Sequence, residues 1–264
     1  MDRPRRLRPV AEVYDPPAMA FALRDVGTHI HPGSEFATVY LAEKVAAFGG
    51  FPAGGRVLDI ASALGGPARV IARRFGCSVL CIDMDPRMQA EGQDAAKREG
   101  VWLRVQQILA RSERLPLANA SCHGSWSQDA LCHMDKPAVI AEIARVLRPG
   151  ALFAFTDWIA LPGFSPVDRA RLAAHWGFPD LLTLRQYVDL LEDSGFVPLA
   201  AEDRTAANTV SRAAEVPDQV EWEDWFVSHY GESELLAQAA RGDAWREVLD
   251  GGRAGYGTFI ARRM

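Results

Sequence analysis

Residues 57–69 read Val-Leu-Asp-Ile-Ala-Ser-Ala-Leu-Gly-Gly-Pro-Ala-Arg, and this stretch decides the fold. An apolar run ends at Asp59, a loop of small residues follows from Ala61 to Gly66, and residues 68–74 then show helical spacing. The pattern predicts a strand, a tight turn and a helix. Such a unit brings backbone N–H groups and a helix N-terminus close to a bound nucleoside.

A second acidic residue follows the next predicted strand. Residues 78–82 are mostly apolar and lead into Asp83, eighteen residues after Gly65. A carboxylate at this place can accept hydrogen bonds from both hydroxyl groups of a ribose. The two strands together therefore indicate a site for a cofactor that contains an adenine nucleoside.

The composition of the loop favours S-adenosylmethionine over a dinucleotide. Dinucleotide sites use the pattern G-x-G-x-x-G because a pyrophosphate lies on the turn. Here the small residues are Ala61, Ala63, Gly65 and Gly66, and Asp59 stands at the end of the strand, where it would repel a pyrophosphate. S-adenosylmethionine carries an ammonium and a sulfonium but no phosphate. The sequence therefore argues against a nicotinamide-dependent oxidoreductase.

Further motifs lie on both sides of this loop. Residues 126–133 read Trp-Ser-Gln-Asp-Ala-Leu-Cys-His, residues 143–150 read Ile-Ala-Arg-Val-Leu-Arg-Pro-Gly, and residues 30–33 read Ile-His-Pro-Gly. Together with residues 57–69 and Asp83, these stretches resemble class I S-adenosylmethionine-dependent methyltransferases. Within that superfamily the chain is most similar to the sarcosine/dimethylglycine N-methyltransferase-like group, which acts on small molecules and has a W-S-Q-D-A-x-x-H motif.

Alternating strand and helix patterns determine the expected architecture. They run from residue 56 to residue 157 and predict a doubly wound, mostly parallel sheet. The resemblance implies that this α/β sheet is Rossmann-like and seven-stranded, with an antiparallel last strand at the sheet edge and a helical cap. We expect four segments: a tail and lid (1–33), the cofactor-binding core (34–160), a cap and substrate region with one core strand (161–250), and the last core strand (251–264).

The resemblance and the loop pattern together give the expected cofactor site. Asp59 would pair with the methionine ammonium, directly or through water, and Asp83 with the ribose. Arg111 stands where the family commonly has an acid near the adenine, and Ser112 can contact the adenine edge. The complete set expected to bind S-adenosylmethionine is Asp59, Ala61, Ser62, Ala63, Gly65, Asp83, Met84, Arg111, Ser112 and Ser127.

Three residues after the fourth predicted strand are the expected catalytic groups. The amide of Gln128 can orient substrate or cofactor, and Asp129 can pair with a cationic substrate or support a base. His133 is expected to titrate near neutrality and to accept a proton from an incoming amine or hydroxyl. The alternative for His133 is a structural residue at a helix end.

Three other residues are expected to contact the substrate. Tyr14 and His31 would close over the cofactor from the N-terminal segment, and Trp158 would present its ring to a cationic centre. The alternatives are loop packing for Tyr14 and His31, and a place in the pocket wall or the core of the cap for Trp158.

Composition narrows the class of protein. The chain has 264 residues, which suits one α/β domain with a cap, and its net charge of −5 argues against a nucleic-acid partner. No stretch approaches the roughly 20 apolar residues of a membrane span. The four cysteines are not paired in C-x-x-C motifs, which favours reduced thiols in the cytoplasm. Cys132 and His133 are adjacent and face different ways, so no metal site is expected.

These observations favour transfer of a methyl group from S-adenosylmethionine to a small metabolite, with S-adenosylhomocysteine as product. The likeness of residues 126–133 favours nitrogen as the acceptor atom; oxygen, sulfur or carbon in a natural-product intermediate stays open. A methyltransferase-like protein without methyl transfer is the second hypothesis, because Ala61, Ala63 and Arg111 depart from the family pattern. A homodimer also stays open.

Overall fold

The computed structural model describes residues 15, 17, 29, 31, 34–207 and 219–264. In chain order the elements are α1 (Ser34–Ala47), β1 (Arg56–Ile60), α2 (Gly66–Phe75), β2 (Ser78–Asp83), α3 (Pro86–Arg98), β3 (Val105–Leu109), β4 (Cys122–Gln128), a 3-10 turn (Leu131–His133), α4 (Lys136–Val146), β5 (Leu147–Ala160), α5 (Pro166–Trp176), α6 (Leu184–Asp193), β6 (Phe196–Asp203), α7 (Gln219–Tyr230), α8 (Glu232–Asp250) and β7 (Ala254–Arg263). The predicted tail and lid, 1–33, lie mostly outside the described residues.

Seven strands form one sheet in the order β3-β2-β1-β4-β5-β7-β6. Strands β1 to β5 are parallel, and β7 runs antiparallel to both β5 and β6. The predicted doubly wound, Rossmann-like sheet with an antiparallel last strand is thus confirmed. Because β1 has β2 on one side and β4 on the other, the carboxyl ends of these three strands meet at one edge, where ligands bind in such folds.

The expected position of β7 at the sheet edge is wrong. β7 pairs with β5 from Leu152↔Arg262 to Ala160↔Ala254, and its other side pairs with β6. Residues 254–261 of β7 are all buried, which agrees with a strand that is paired on both sides. Among the described strands, β6 therefore forms this edge of the sheet and β3 forms the other.

Apolar side chains cover both faces of the sheet. One cluster packs β1, β4 and β5 against α4 and α6, and another packs β1 and β2 against α1 and α2. A third cluster lies under the cap and joins α5 and α8 to the ends of β5 and β7. The cap is also tied to the start of β7 by an ion pair at 3.1 Å between Asp168 and Arg253. No helix within the described ranges is long and apolar enough to cross a membrane.

Candidate cofactor and active site

The turn between β1 and α2 holds two alanines in the left-handed region. The φ angles are +52° at Ala61, +45° at Ala63 and +65° at Gly65. An L-residue in this region costs about 1–2 kcal/mol. Hydrogen bonds hold the turn: the N–H of Ser62 donates to β2 at 3.0 Å, and the N–H of Ala63 donates to the carboxylate of Asp83 at 2.8 Å. Ala61 and Ala63 therefore adopt the left-handed backbone conformation that glycine adopts more readily.

Asp83 anchors this turn at the end of β2. Its Oδ2 accepts the N–H of Ala63, and its Oδ1 accepts the N–H of Asp85 at 2.9 Å. Each carboxylate oxygen can accept a second hydrogen bond, so both still have capacity for a hydroxyl donor such as a ribose. Burial raises the pKa of Asp83, while the backbone N–H groups of Asp85 and Ala63 act in the opposite direction.

Asp59 is a buried acid without a full set of partners. Its side chain lies in β1 at 2% exposure, and within the described part of the chain Oδ2 accepts no hydrogen bond. Burial, with the nearby charge of Asp83, raises the pKa of Asp59 to about 8. A buried carboxyl oxygen without a partner is costly, so Oδ2 is suited to accept a hydrogen bond from a bound group. The ammonium of S-adenosylmethionine fits this position because it can donate to Oδ2 and favours the carboxylate form, whereas a pyrophosphate offers no donor to this oxygen.

The residues expected near the adenine follow β2 and β3. Since Asp83 is in register with Leu109, Met84 and Ser112 belong to the same edge of the sheet. Met84 is 48% exposed and Ser112 is buried. Arg111 points into solvent and pairs with Glu113 at 3.2 Å.

Gln128 offers an unsatisfied amide nitrogen, which carries two N–H donors, at the end of β4. Its Oε1 accepts hydrogen bonds from the hydroxyl of Thr38 at 2.9 Å and from the indole N–H of Trp126 at 3.0 Å. An indole can only donate, so the amide cannot be flipped. The amide nitrogen Nε2 is buried, and no described residue accepts a hydrogen bond from it. Ser127, the preceding residue, donates from Oγ to the carbonyl of Ile60 at 3.2 Å, which ties the end of β4 to β1.

His31 belongs to the same hydrogen-bonded chain. Its Nε2 lies 3.1 Å from Oγ1 of Thr38, whose only hydrogen is directed at Gln128. Nε2 of His31 must therefore be the donor in this contact. The structure thus connects His31 to Gln128 through Thr38, and His31 itself is buried. Tyr14, the other residue expected in the lid, lies outside the described residues.

Asp129 is held by two strands in a strained conformation. Its φ is +54°, in the left-handed region. The hydroxyl of Thr156 donates to Oδ1 at 3.1 Å, and the hydroxyl of Tyr256 donates to Oδ2 at 2.9 Å. Burial and the charge of Asp157 raise the pKa of Asp129 well above its ordinary value. Once ionised, this carboxyl is therefore a stronger base than a solvated aspartate, and the same shift favours its protonated form in the absence of a cation.

A second buried acid, Asp157, lies next to this site on β5. Its Oδ1 accepts the N–H of Cys132 at 3.1 Å, and its Oδ2 accepts the hydroxyl of Tyr187. Burial raises the pKa of Asp157, and the charge of Lys136 counteracts this effect. Asp129 and Asp157 together place two neighbouring buried carboxyl groups at this end of the sheet, and the charge of Asp157 opposes ionisation of Asp129.

The expectation that His133 titrates near neutrality is wrong. The ring packs edge-on against Phe178, with 4.7 Å between centroids, at the end of the 3-10 turn. Burial, together with the charge of Lys136, lowers the pKa of His133 to about 3. The imidazole is therefore neutral at physiological pH and a weak proton acceptor.

Trp158 packs within the apolar cluster under the cap. Its ring makes edge-to-face contacts with Trp245, at 4.4 Å between centroids, and with Tyr256, at 5.4 Å. Only 6% of the side chain is exposed. The contacts agree with the alternative of a residue in the cap core, and a contact with substrate stays a prediction.

Thr38, Thr156 and Tyr256 determine how Gln128 and Asp129 are oriented, although no sequence pattern indicates this role. Thr38 and Tyr256 lie 90 and 127 residues from the groups they contact. Thr156 on β5 is the register partner of Gln128 on β4. A correct alignment of these two predicted strands would therefore have placed Thr156 beside Asp129. Among the described residues, no three His, Cys, Asp or Glu side chains group in a way that could hold a metal ion.

Comparison with known proteins gives consistent results along the chain. A family model described as a methyltransferase domain matches residues 58–155. Methyltransferase GfsG of Streptomyces halstedii is 31% identical over 211 residues, which is 77% of this chain and 72% of that protein. A sarcosine/dimethylglycine N-methyltransferase of Halorhodospira halochloris is 29% identical, with coverage of 77% and 72%. The 27-O-demethylrifamycin SV methyltransferase of Amycolatopsis mediterranei is 32% identical and covers 64% of each chain.

Solved structures agree on the fold. A protein of Galdieria sulphuraria, provisionally described as a sarcosine dimethylglycine methyltransferase, superposes with a TM-score of 0.84 at 22% identity. The superposition covers 94% of this chain and 97% of that one. The same arrangement of sheet and cap is therefore present in both.

Proposed function

Because this chain belongs to the S-adenosylmethionine-dependent methyltransferases that act on small molecules, we propose that it methylates the nitrogen of a small amine. The choice of nitrogen rests on a pair of buried acids: Asp129, which follows β4, and Asp157, near the carboxyl end of β5. An ammonium ion bound beside these acids favours their carboxylate form and pairs with it, whereas a neutral alcohol or thiol gains no such ion pair.

The cofactor end of the site is assigned to β1, β2 and the turn. When bound, S-adenosylmethionine supplies an electrophilic methyl group on a sulfonium that is already a good leaving group. Asp59 would accept the ammonium of the methionine part, and Asp83 the ribose hydroxyls. The turn from Ala61 to Gly65 would bring backbone close to the cofactor. The protein's main task is then to align the two reactants and exclude water.

The amine must lose a proton before it can attack, because an aliphatic amine with a pKa near 10 is mostly ammonium at pH 7. Asp129 is the residue we assign to this task, since burial raises its pKa and its place follows β4 directly. Gln128 would orient the reactants through Nε2. The low pKa of His133 leaves it the role of a neutral hydrogen-bonding partner.

Other acceptors define the second candidate. The relative from Amycolatopsis mediterranei is named for an oxygen-linked methyl group, so transfer to oxygen in a natural-product intermediate is the main alternative. If the acceptor atom were sulfur or carbon, the substrate would not arrive as an ammonium ion, and no residue would be needed to deprotonate one. Ala61, Ala63 and Arg111 are the reason for considering a protein without methyl transfer. None of them disrupts the turn between β1 and α2. Arg111 points into solvent, and both alanines adopt the left-handed conformation that the turn requires.

The test is a survey of acceptors with S-adenosylmethionine that carries a labelled methyl group. Primary, secondary and tertiary amines, including sarcosine and dimethylglycine, are compared with phenols, thiols and enolisable ketones. We expect labelled product with one class of amine, and loss of at least tenfold in kcat for Asp129→Asn with the cofactor affinity unchanged. Turnover of phenols or thiols alone would transfer the assignment to the second candidate. Sedimentation of the same protein tests whether it forms a homodimer.

A further inference from the structure

A groove of about 280 Å³ lies at the end of the sheet opposite to the cofactor site. It is formed by the end of α1, the starts of β4 and β5 and the end of β7, because β7 runs antiparallel and Arg262 pairs with Leu152. The groove therefore opens at the amino ends of the parallel strands. None of the described residues that line the groove is assigned to methyl transfer.

Glycines make the rim of the groove open. Gly49 and Gly150 have φ angles of +106° and +83°, and a Cβ atom at either position would meet no heavy atom within 4 Å. A ligand can therefore approach the backbone at both places.

The polar side chains in the groove are all hydrogen-bond donors. They are His123, Arg148 and Arg262. Nδ1 of His123 accepts the backbone N–H of Arg56 at 3.0 Å, so the ring hydrogen must be on Nε2. The guanidinium of Arg148 donates from Nε to the carbonyl of Ala120 at 3.2 Å. A guanidinium has five N–H donors, so four remain for a ligand.

The positive charge of the groove is not neutralised by acids. Within the described part of the chain, neither Arg148 nor Arg262 forms an ion pair, and Arg262 donates instead to the carbonyl of Phe48 at 3.3 Å. The pKa of His123 is lowered by burial and by the charges of Arg148 and Arg56, with no carboxylate acting in the opposite direction. This local excess is present although the whole chain has a net charge of −5.

We propose that this groove binds a phosphate group, either as the free ion or as the monoester of a small metabolite. Guanidinium groups match the oxygens of phosphate with two parallel hydrogen bonds. Donors on three separate elements, β4, β5 and β7, suit a tetrahedral dianion better than a planar carboxylate with one charge. The volume is at the small end of ligand sites, which fits a phosphate with a short carbon chain.

The experiment is a titration with inorganic phosphate at constant ionic strength, followed by the NMR signals of the His123 ring. Glycerol 3-phosphate forms a second arm and acetate a third. We expect a saturable change with phosphate or its monoester and a rise in the pKa of His123. The double variant Arg148→Gln/Arg262→Gln, whose amides can still donate to the carbonyls, should bind at least tenfold more weakly. Arg148→Lys/Arg262→Lys keeps both charges but loses the paired N–H geometry, so its affinity should lie between those of the wild type and the Gln variant.

The matched control is Arg185→Gln/Arg246→Gln, which removes two exposed arginines from α6 and α8. It should bind phosphate like the wild type, and all variants should keep the wild-type affinity for S-adenosylmethionine. A linear response without saturation, equal responses in the Gln variant and wild type, or an equal effect of acetate would overturn the proposal. Since the cofactor affinity is measured separately, this outcome would not affect the proposed methyl transfer.

Discussion

The hydroxyl of Thr38 in α1 donates a hydrogen bond of 2.9 Å to Oε1 of Gln128 at the end of β4. With the indole of Trp126 on the same oxygen, this contact fixes the amide so that its nitrogen is the group left for a ligand. Helix α1, which precedes the cofactor loop in sequence, thus helps to determine that Nε2 of Gln128 is the atom available to a ligand at the carboxyl end of β4.

Replacing Thr38 by valine tests this coupling. The side chain keeps its shape but loses the donor to Gln128 and the acceptor for His31, so we expect the free energy of unfolding to fall by about 1–2 kcal/mol. Urea unfolding of wild type and Thr38→Val measures this difference in the free energy of unfolding. A double-mutant cycle with Gln128→Leu should give a coupling energy of about 1 kcal/mol. Additive effects of the two substitutions would contradict the coupling, and Ser228→Ala on the exposed face of α7 serves as control.

Glycine at Ala61 or Ala63 should stabilise the protein. Relief of the left-handed alanine gains about 1–2 kcal/mol, and the flexibility of glycine in the unfolded chain offsets about 0.5–1 kcal/mol of this. We expect a net rise of about 0.5–1 kcal/mol per site in the free energy of unfolding. Ala120, with φ +48° and far from the cofactor site, is the matched control. Ala120→Gly should give the same gain in stability without any change in cofactor affinity, and a loss of stability in all three would refute the argument.

The raised pKa of Asp59 predicts a pH dependence of stability. The pKa rises from an ordinary 3.8 to about 8 on folding, so between these values the folded protein holds a proton that the unfolded chain has released. The free energy of unfolding therefore falls as the pH rises through this range. In Asp59→Asn the slope between pH 5 and pH 7 should be smaller by about 1 kcal/mol per pH unit. In the control variant Asp94→Asn, at an exposed site on α3, the free energy of unfolding should change with pH as it does in the wild type. Identical slopes in Asp59→Asn and wild type would contradict the assignment.

His133 should stay neutral far below neutral pH. Its pKa of about 3, against an ordinary 6.5, results mainly from burial beside Phe178. NMR of the imidazole should show no titration of His133 between pH 5 and pH 8. Phe178→Ala admits water to the ring and should move the pKa of His133 up towards its ordinary value. A midpoint near 6.5 in the wild type would restore His133 as the general base.

The parts of the site that the sequence predicts are local. The strand, turn and helix around residues 57–69 and the acid at Asp83 depend on neighbours within one βαβ unit, so their pattern is sufficient. The protonation of His133 could not be predicted in this way, because it depends on Phe178 in the cap. Likewise the place of β7 follows from its pairing with β6, about 60 residues earlier, and not from its own composition.

Binding of S-adenosylmethionine measured by isothermal titration calorimetry is the most direct test of the account, with wild type, Asp83→Ala and the exposed control Asp94→Ala compared. We predict micromolar affinity for wild type and control. Asp83→Ala loses both the ribose acceptor and the anchor of the turn, and should bind at least tenfold more weakly. Equal affinity in all three proteins, or no saturable binding at millimolar cofactor, would contradict the cofactor site described for β1, β2 and their turn.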